Sequence, residues 1–321
     1  MNLVNNNFLA ITLTKKCNLR CNYCFEEANP NNDGVFQIEK VMNLIREAKS
    51  LNIRWIALSG GEPLLYPYIY ELINEIAGLG LSLFIESNGI AINERFIREI
   101  KSRIWQGKVQ IRISLDSNVR LNHEKDRGVN SFLPAIKSIQ NLVRYGINVS
   151  VNKVYRSNDF AYKFNLKDYV EFCLQLGVNR IEISRIVPLG RAQERDKLSL
   201  EQVQYVRRLL EELKKHRKSI LSNDFYMLKY SQNCSRLQKI GWGLYAYPYG
   251  FSLCPMQPEI RIGDLSSMNK IIEGNILNVF NEMRKAAFRN LPYKMIFGCS
   301  ECREYFYKAN KDSILKYCES F

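Results

Sequence analysis

The sequence predicts an α/β fold built on a partial barrel of parallel strands, and three observations support it. Short β-branched and apolar runs alternate with helical patterns through the first 190 residues. Glycines stand between helix and strand, where a residue that tolerates positive φ ends a helix at little cost. Strands separated by helices pair in parallel through right-handed crossovers. Six such units are fewer than a closed barrel needs, which indicates a (β/α)6 partial TIM barrel that is open on one side.

The strands and helices of the barrel can be placed in order along the chain. We predict strands at 8–14, 54–58, 81–86, 109–115, 147–154 and 180–186. We predict helices at 37–50, 67–78, 92–103, 131–145 and 165–176. The strands are rich in Val, Ile and Leu, whereas the helices repeat apolar residues at every third or fourth position.

The pattern changes after residue 186. A polar linker follows Gly190, and the segment 199–202 fits a capping box before a helix that we expect to reach about residue 221. From residue 225 onward the sequence is aromatic, irregular and rich in Gly, Pro and Cys. The predicted parts are a barrel at 1–190, a linker with a bridging helix at 191–224, and a small irregular domain at 225–321.

Composition narrows the class of protein. The 321 residues include 46 Lys and Arg against 32 Asp and Glu, a formal net charge of +14, which favours anionic partners. No stretch approaches the ~18 apolar residues of a membrane-spanning helix, and no secretion signal opens the sequence, so we expect a cytoplasmic protein without a membrane partner. Nine cysteines in a reducing compartment indicate metal binding or catalysis rather than disulfides.

Three of the cysteines lie together just after the first predicted strand. Cys17, Cys21 and Cys24 form a C-x3-C-x2-C run in one loop. Three thiolates from one loop can bind three irons of a [4Fe–4S] cube and leave the fourth iron open for a substrate or cofactor. A structural zinc site is the alternative, but it needs four ligands, and no fourth ligand is evident nearby.

Further polar residues fall at the carboxyl ends of the other predicted strands. They are Gly60, Gly61, Glu62 and Pro63 after the second strand, Ser87 and Asn88 after the third, Ser114 and Asp116 at the fourth, Asn152 in the fifth and Arg185 in the sixth. Each segment by itself could be an ordinary turn. Because parallel barrels place their chemistry where the strands end, their common register indicates one site. Two glycines let the backbone approach a ligand, and Glu62 is a carboxylate suited to an ammonium group.

Together these motifs resemble the radical S-adenosylmethionine (SAM) superfamily, whose cysteine motif has an aromatic residue before its last cysteine, here Tyr23. The resemblance implies that the segment 60–63 holds the methionyl amino group of SAM. It implies that the polar residues of the third to sixth strands contact the ribose and the methionyl carboxylate. It further implies that one-electron reduction cleaves SAM to a 5′-deoxyadenosyl radical, which abstracts a hydrogen from a substrate C–H bond.

The C-terminal part contains another set of cysteines. Cys299 and Cys302 are spaced as metal ligands, and Cys234 and Cys254 flank a hairpin expected at 247–250. This pattern resembles the twitch domain, the shortened form of the SPASM domain, which carries one auxiliary [4Fe–4S] cluster. The resemblance implies that these four cysteines ligate a second cluster. A zinc site with four cysteines is the alternative.

Two cysteines remain outside both sets. Cys173 lies in an amphipathic helical pattern, and we expect a buried apolar side chain. Cys318 is a spare thiol and the candidate for a catalytic role. His123 resembles part of a segment that recurs after the fourth strand in SPASM-type maturases, where its role is expected to be structural.

SPASM and twitch proteins mostly resemble maturases of ribosomally made peptides, so we expect oxidative modification or crosslinking of such a peptide. The charge of +14 suits an acidic leader segment, and a flavodoxin- or ferredoxin-type protein is the expected electron donor. One alternative is oxidation of a small alcohol, as in the similar aminocyclitol dehydrogenases. Another is peptide epimerisation with Cys318 as the hydrogen donor.

A basic stretch at 207–218 raises the possibility of a nucleic-acid partner. Its cations alternate with leucines at helical spacing and are balanced by Glu211 and Glu212, so a solvated helix face is the better interpretation. No nucleic-acid-binding motif accompanies it. An iron–sulfur redox sensor that binds nucleic acid is therefore only the non-enzymatic alternative.

Overall fold

A computed structural model describes residues 8–50, 53–104, 108–186, 190–216, 219–221, 244–247 and 250–252. The chain divides into two compact units. One unit comprises residues 1–12, 36–56 and 227–321, and the other comprises residues 13–35 and 57–226. The second unit includes the loop of Cys17, Cys21 and Cys24.

The described strands confirm the predicted α/β class. In chain order they are β1 (Phe8–Thr12), β2 (Trp55–Ser59), β3 (Ser82–Ser87), β4 (Val109–Ser114), β5 (Asn148–Tyr155), β6 (Arg180–Arg185), β7 (Ile220–Leu221), β8 (Leu244–Tyr247) and β9 (Gly250–Ser252). Strands β3 to β7 pair in parallel, each with the next. All six predicted barrel strands are present, with ends shifted by one or two residues.

The described helices follow the predicted order and add two. They are α1 (Ile38–Ser50), α2 (Ile69–Gly78), α3 (Glu94–Arg103), α4 (Arg120–Arg127), α5 (Phe132–Arg144), α6 (Asn158–Ala161), α7 (Leu166–Gln175) and α8 (Leu200–His216). Helix α4 was not predicted, because the face that it buries is polar rather than apolar: His123, Asp126 and Arg127. None of the described helices is both long and apolar enough to cross a bilayer.

The segment after α8 differs from the sequence prediction. The helix ends at His216, not near residue 221, and Ile220–Leu221 instead forms β7, which pairs in parallel with β6. The last turn of α8 is basic, as the helix dipole favours. Ile220 is 2% exposed, so its apolar side chain is removed from water at the sheet edge. The free energy gained by burying Ile220 in the sheet exceeds the small free energy of helix propensity that would extend α8 to this residue.

Opposite faces of the central strands carry different side chains. In β4, Ile111 and Ile113 are buried, whereas Arg112 between them is partly exposed. Arg112 pairs with Glu86 of β3 and with Glu182 of β6. One face is therefore an apolar core surface, and the other face is polar and charged.

In the first unit, β1 pairs in parallel with β8, and β8 pairs antiparallel with β9. Tyr247 is the register partner of Gly250, which confirms the hairpin expected at 247–250. The expected auxiliary ligands and the spare thiol lie outside the described residues: Cys234, Cys254, Cys299, Cys302 and Cys318.

Candidate active site

The loop at residues 13–35, called the cysteine loop below, packs against the segment that follows β2. The N–H groups of Gly61 and Glu62 donate to the carbonyl oxygens of Thr14 and Lys16 at 2.7 and 2.9 Å. The N–H of Leu13 donates to the carbonyl of Ser59 at 2.9 Å. The fold therefore brings together two segments that the sequence predicted to share one site.

The three cysteines of the loop pack around one small apolar cluster that includes Leu19. Cys17 is 6% exposed, Cys21 and Cys24 are half-buried, and all three thiols are free. The sulfur of Cys17 accepts hydrogen bonds from the Leu19 N–H at 3.4 Å and from the side-chain amide of Asn88 at 3.7 Å. Such donors stabilise a thiolate that binds metal.

The three thiols of the loop suit an iron–sulfur cube, in which each thiolate binds a different iron. In the described part of the chain, no three Cys, His, Asp or Glu side chains converge on one ion position. Zinc draws its thiolates to ~2.3 Å from one centre, whereas each thiolate of a cube binds a different iron. Burial raises the pKa of the Cys17 thiol to about 12, and nearby Glu62 adds to the shift.

Glu62 is fully buried and connects the ends of β2 and β3. Its Oε1 accepts the Ser87 hydroxyl at 2.9 Å and the Leu64 N–H at 3.2 Å, and its Oε2 accepts the Asn88 N–H at 2.9 Å. Burial raises its pKa to about 7, although these hydrogen bonds oppose the shift. Glu62 braces the site, and its predicted contact with the ammonium group of SAM stays a prediction. Pro63, also buried, begins the short 3-10 turn that follows.

Asn88 links the end of β3 to the cysteine loop. Its side-chain amide donates to Oδ1 of Asn18 at 2.7 Å as well as to the sulfur of Cys17. Its Oδ1 accepts the N–H of Ile90 at 2.9 Å. Asn88 therefore lies beside the proposed cluster, whereas the sequence predicted only a contact with SAM.

The glycines at 60 and 61 are required by close contact between two loops. A Cβ on Gly60 would lie 2.4 Å from the carbonyl oxygen of Thr14, and Gly60 has a φ of +141°. A Cβ on Gly61 would lie 2.3 Å from the carbonyl oxygen of Lys16. Any larger residue must push the cysteine loop away from the end of β2.

We therefore expect Gly61→Ala to lower the free energy of unfolding by about 2 kcal/mol, because the added methyl overpacks the contact. Iron uptake during anaerobic reconstitution should fall with it. Gly78→Ala is the control, since nothing lies within 4 Å of a Cβ at that position. Urea unfolding and iron analysis measure both effects, and equal results for the two variants would contradict the close packing.

Asp116 uses both carboxylate oxygens within the protein. Its Oδ2 accepts the hydroxyl of Tyr23 and the Nε–H of Arg127, the latter at 2.6 Å, and its Oδ1 accepts the Val154 N–H at 3.2 Å. Burial opposes ionisation, but Arg127 and Lys153 hold the pKa of Asp116 well below its usual range. Asp116 therefore anchors Tyr23, and its predicted contact with SAM stays a prediction.

The charged surroundings of Asp116 were not predicted from the sequence. Lys153 pairs with Asp159 at 2.8 Å, and Arg156 pairs with Asp126. The buried network has three cations and three carboxylates: Arg127, Lys153, Arg156, Asp116, Asp126 and Asp159. The guanidinium carbon of Arg156 lies 4.5 Å from the centre of the Tyr23 ring. The network thus surrounds the aromatic residue of the cysteine motif and balances its own charge.

His123 belongs to the same network but is neutral. Its Nδ1 accepts the N–H of Asp116 at 3.2 Å, and its ring packs edge-on to Phe132. Burial lowers its pKa to about 4. His123 therefore positions the backbone of Asp116, in line with the structural role expected from the sequence.

The remaining predicted contacts follow the ends of β4 to β6. Ser114 pairs in register with Asn152, whose Oδ1 accepts the hydroxyl of Ser184 at 2.9 Å. Arg185 ends β6, is half-buried, and forms no ion pair within the described ranges. An unengaged guanidinium at this edge suits a carboxylate ligand. Ser184 was not singled out from the sequence, since nothing in a short strand marks one serine among polar neighbours.

Comparison with known proteins shows which family the part of the chain around this site is similar to. Residues 11–156 match the model of the Radical SAM superfamily. The match covers 146 of the 321 residues, and this part of the chain is similar to a radical SAM domain. The match spans the cysteine loop, Glu62 and Asn152, and it ends before Arg185. A radical SAM domain implies SAM and a [4Fe–4S] cluster as cofactors, and the three thiols of the cysteine loop fit the cluster.

Curated relatives match the radical SAM domain at moderate identity. The chain is 28% identical to the AdoMet-dependent heme synthase of Oleidesulfovibrio alaskensis over 188 residues, which are 58% of this chain and 47% of that protein. It is 25% identical to the GTP 3′,8-cyclase of Clostridium perfringens over 192 residues, 58% of this chain and 57% of that protein. It is 30% identical to the probable GTP 3′,8-cyclase of Methanocaldococcus jannaschii over 186 residues, 56% of this chain and 59% of that protein. The match thus spans about half to three fifths of these relatives.

Solved structures of low sequence identity share the fold of this chain. SuiB of Streptococcus suis bound to the precursor peptide SuiA aligns with a TM-score of 0.69 and 16% identity, covering 86% of this chain and 64% of that chain. Native anSMEcpe with bound AdoMet and the Kp18Cys peptide aligns with a TM-score of 0.63 and 14% identity, covering 98% of this chain and 99% of that chain. These alignments confirm the partial barrel.

Proposed function

We propose that this chain is a radical SAM enzyme that oxidises or crosslinks a ribosomally made peptide. One observation carries the radical SAM assignment: the loop that bears three free thiols is hydrogen-bonded to Gly61 and Glu62, and the sulfur of Cys17 accepts a hydrogen bond from Asn88. When bound, the cluster and SAM supply a 5′-deoxyadenosyl radical that can abstract hydrogen from an unactivated C–H bond. The residues of the chain hold these groups in place and exclude water.

Each site residue has a proposed role. Cys17, Cys21 and Cys24 bind the cluster, and the segment 60–63 faces the amino group of SAM. Arg185 faces the carboxylate of SAM, since its guanidinium is unengaged within the described ranges. Ser87, Asn88, Ser114 and Asn152 surround the ligand with polar groups. We assign Asp116 to positioning Tyr23, because its oxygens already accept three hydrogen bonds.

A peptide substrate is supported by the solved structures and by charge. SuiB bound to its precursor peptide and anSMEcpe bound to a peptide share the fold of this chain. The formal charge of +14 suits a peptide with an acidic leader. We further propose an auxiliary [4Fe–4S] cluster that would accept the electron left on the substrate, with Cys234, Cys254, Cys299 and Cys302 as its ligands. A flavodoxin- or ferredoxin-type protein would supply the electron that starts the reaction.

Modification of an anionic nucleotide is a second candidate. The relatives named GTP 3′,8-cyclase favour it, one of them at 30% identity over 186 residues. A basic protein attracts a triphosphate as well as an acidic peptide. Incubation with GTP and, separately, with an acidic precursor peptide distinguishes the two candidates by the product that mass spectrometry detects.

Anaerobic reconstitution tests the cofactors of the proposal. Iron and sulfide analysis should give about eight irons per chain if both clusters are present. About four irons together with zinc would reject the auxiliary cluster. Reduced protein should convert SAM to 5′-deoxyadenosine, and a failure to do so with a loaded cluster would reject the radical SAM assignment.

The peptide product then identifies the reaction. Oxidation or crosslinking gives a peptide that is lighter by two hydrogens, whereas epimerisation leaves its mass unchanged. Cys318→Ala separates these outcomes further. Loss of product with retained SAM cleavage would support epimerisation with Cys318 as the donor, and an unchanged product would support oxidation or crosslinking.

A further inference from the structure

A short segment after β6, residues 190–192, binds the backbone of the cysteine loop. The main-chain N–H of Arg191 donates to the carbonyl of Cys24 at 3.0 Å. Its Nε–H donates to the carbonyl of Cys21 at 2.8 Å, and its Nη2 donates to that of Ala28 at 2.7 Å. One residue therefore holds three carbonyls of a loop that lies more than 160 positions away in the sequence.

The neighbours of Arg191 fit the same loop. Gly190 has a φ of +61°, and a Cβ there would lie 2.4 Å from the carbonyl oxygens of both Cys24 and Phe25. Ala192 is buried in a cluster with Tyr23 and Ile186. We call residues 190–192 the strap, because each of them contacts the cysteine loop.

The three carbonyls lie in irregular backbone, where those of Cys21 and Cys24 also accept long turn hydrogen bonds of 3.3 Å from the N–H groups of Cys24 and Glu27. A guanidinium presents several N–H groups in a rigid fork, so it can fix two carbonyls relative to one another. The residues held in this way include Cys21 and Cys24, two of the proposed cluster ligands. Their side chains must point to different irons of one cube, so the backbone geometry between them decides whether a cluster fits.

The strap also brings positive charge to the cysteines. The guanidinium Nε of Arg191 lies 2.8 Å from the carbonyl oxygen of Cys21, so its positive charge stands directly beside one of the proposed ligands. A reduced [4Fe–4S] cluster carries one more negative charge than the oxidised cluster, and a fixed cation nearby stabilises the more negative state.

We propose that Arg191 is a positioning residue for the cluster: its guanidinium holds the cysteine loop in the ligating conformation, and its charge raises the reduction potential. This inference rests on the proposed function, because the cluster is part of that proposal. Arg191 is expected to touch neither SAM nor the substrate, so it acts through the loop.

Two variants separate the geometric part from the electrostatic part. Arg191→Gln removes the charge and the fork, whereas Arg191→Lys keeps the charge but offers one ammonium instead of a planar fork. Arg195→Gln is the matched control, because Arg195 is exposed, lies four residues further along the chain, and loses the same charge.

The first measurement uses the full-length iron-free protein and does not depend on a cluster. Brief alkylation followed by peptide mass spectrometry gives the labelling rate of each cysteine, with buried Cys173 as the internal reference. We expect Cys21 and Cys24 to react about tenfold faster in Arg191→Lys, which keeps the positive charge but loses charge-assisted hydrogen bonds to the loop, each of which contributes about that factor. The control should match the wild type.

The second measurement is an EPR-monitored redox titration of the reconstituted protein. Arg191→Gln should lower the cluster potential by about 59 mV, which is a tenfold change for a one-electron couple. Arg191→Lys should shift it less. Unchanged labelling and unchanged potential in both variants would overturn the inference. A wild-type protein that takes up no iron would instead overturn the proposed function, while the labelling result would still decide whether the strap holds the loop.

Discussion

Alanine at any one of Cys17, Cys21 and Cys24 is expected to abolish 5′-deoxyadenosine formation from SAM. Each thiolate of the loop would bind a different iron, and the described residues offer no further cysteine next to these three. Losing one ligand should therefore prevent the cluster from holding SAM, rather than merely weaken it. Anaerobic incubation with SAM and a chemical reductant, followed by chromatography of the nucleosides, measures the result.

Cys173→Ala is the matched control for these variants. Cys173 is fully buried in α7, as the sequence predicted. Its truncation should cost about 1 kcal/mol of stability and leave SAM cleavage unchanged. Cleavage that survives in a variant of the cysteine loop would reject the assignment of the cluster to that loop.

Asp116→Asn is expected to destabilise the protein by about 3–5 kcal/mol, because removing one partner leaves a buried charge uncompensated. Arg127 is 8% exposed and donates to Asp116 at 2.6 Å. The substitution also replaces the charged carboxylate that accepts the Tyr23 hydroxyl with a neutral amide. Urea unfolding measures the change. Glu99→Gln is the control, since the pair of Glu99 and Arg103 is partly exposed and should contribute less than about 0.5 kcal/mol.

The effect of Asp116→Asn should depend on pH in one direction. The pKa of Asp116 is lowered in the folded protein, so its stabilising contribution is complete above the unfolded pKa of about 3.9. It is lost as the pH falls through the folded pKa. The difference in unfolding free energy between wild type and variant should therefore be constant from about pH 5 to pH 8 and shrink below about pH 4. A difference that grows on acidification would contradict the buried ion pair.

Regular features of the barrel could be predicted because they follow from local pattern. Apolar strands and amphipathic helices repeat through the first 190 residues, and parallel pairing leaves little choice of topology. The carboxyl ends of parallel strands share one edge, so polar residues at strand ends could be assigned to one site. The contacts of Gly60, Gly61, Glu62 and Asn88 with the cysteine loop agree with that assignment.

Features that depend on pairing between distant residues could not be predicted. Asp126 and Arg127 lie in a polar stretch whose composition resembles a surface loop, yet α4 buries both side chains. Their burial is possible only because partners come from other elements, such as Arg156 after β5. The spacing of apolar residues along the sequence does not show which distant charged residues will pair. The role of the strap could not be predicted either. Arg191 lies in a polar stretch that the sequence identifies as a linker, and only the fold shows its contacts with the cysteine loop.

The sequence by itself determined the class of fold, the cysteine motif and the edge of the sheet that bears the candidate site. These features depend on the order and spacing of residues along the chain, which are known before any tertiary contact is known. Tertiary structure decided what each polar residue contacts. Asp116 accepts a hydrogen bond from Tyr23, and Glu62 accepts hydrogen bonds from the end of β3. Arg191 donates hydrogen bonds to the cysteine loop. A buried charge is stable only beside a partner, and the fold, rather than the spacing along the chain, supplies that partner.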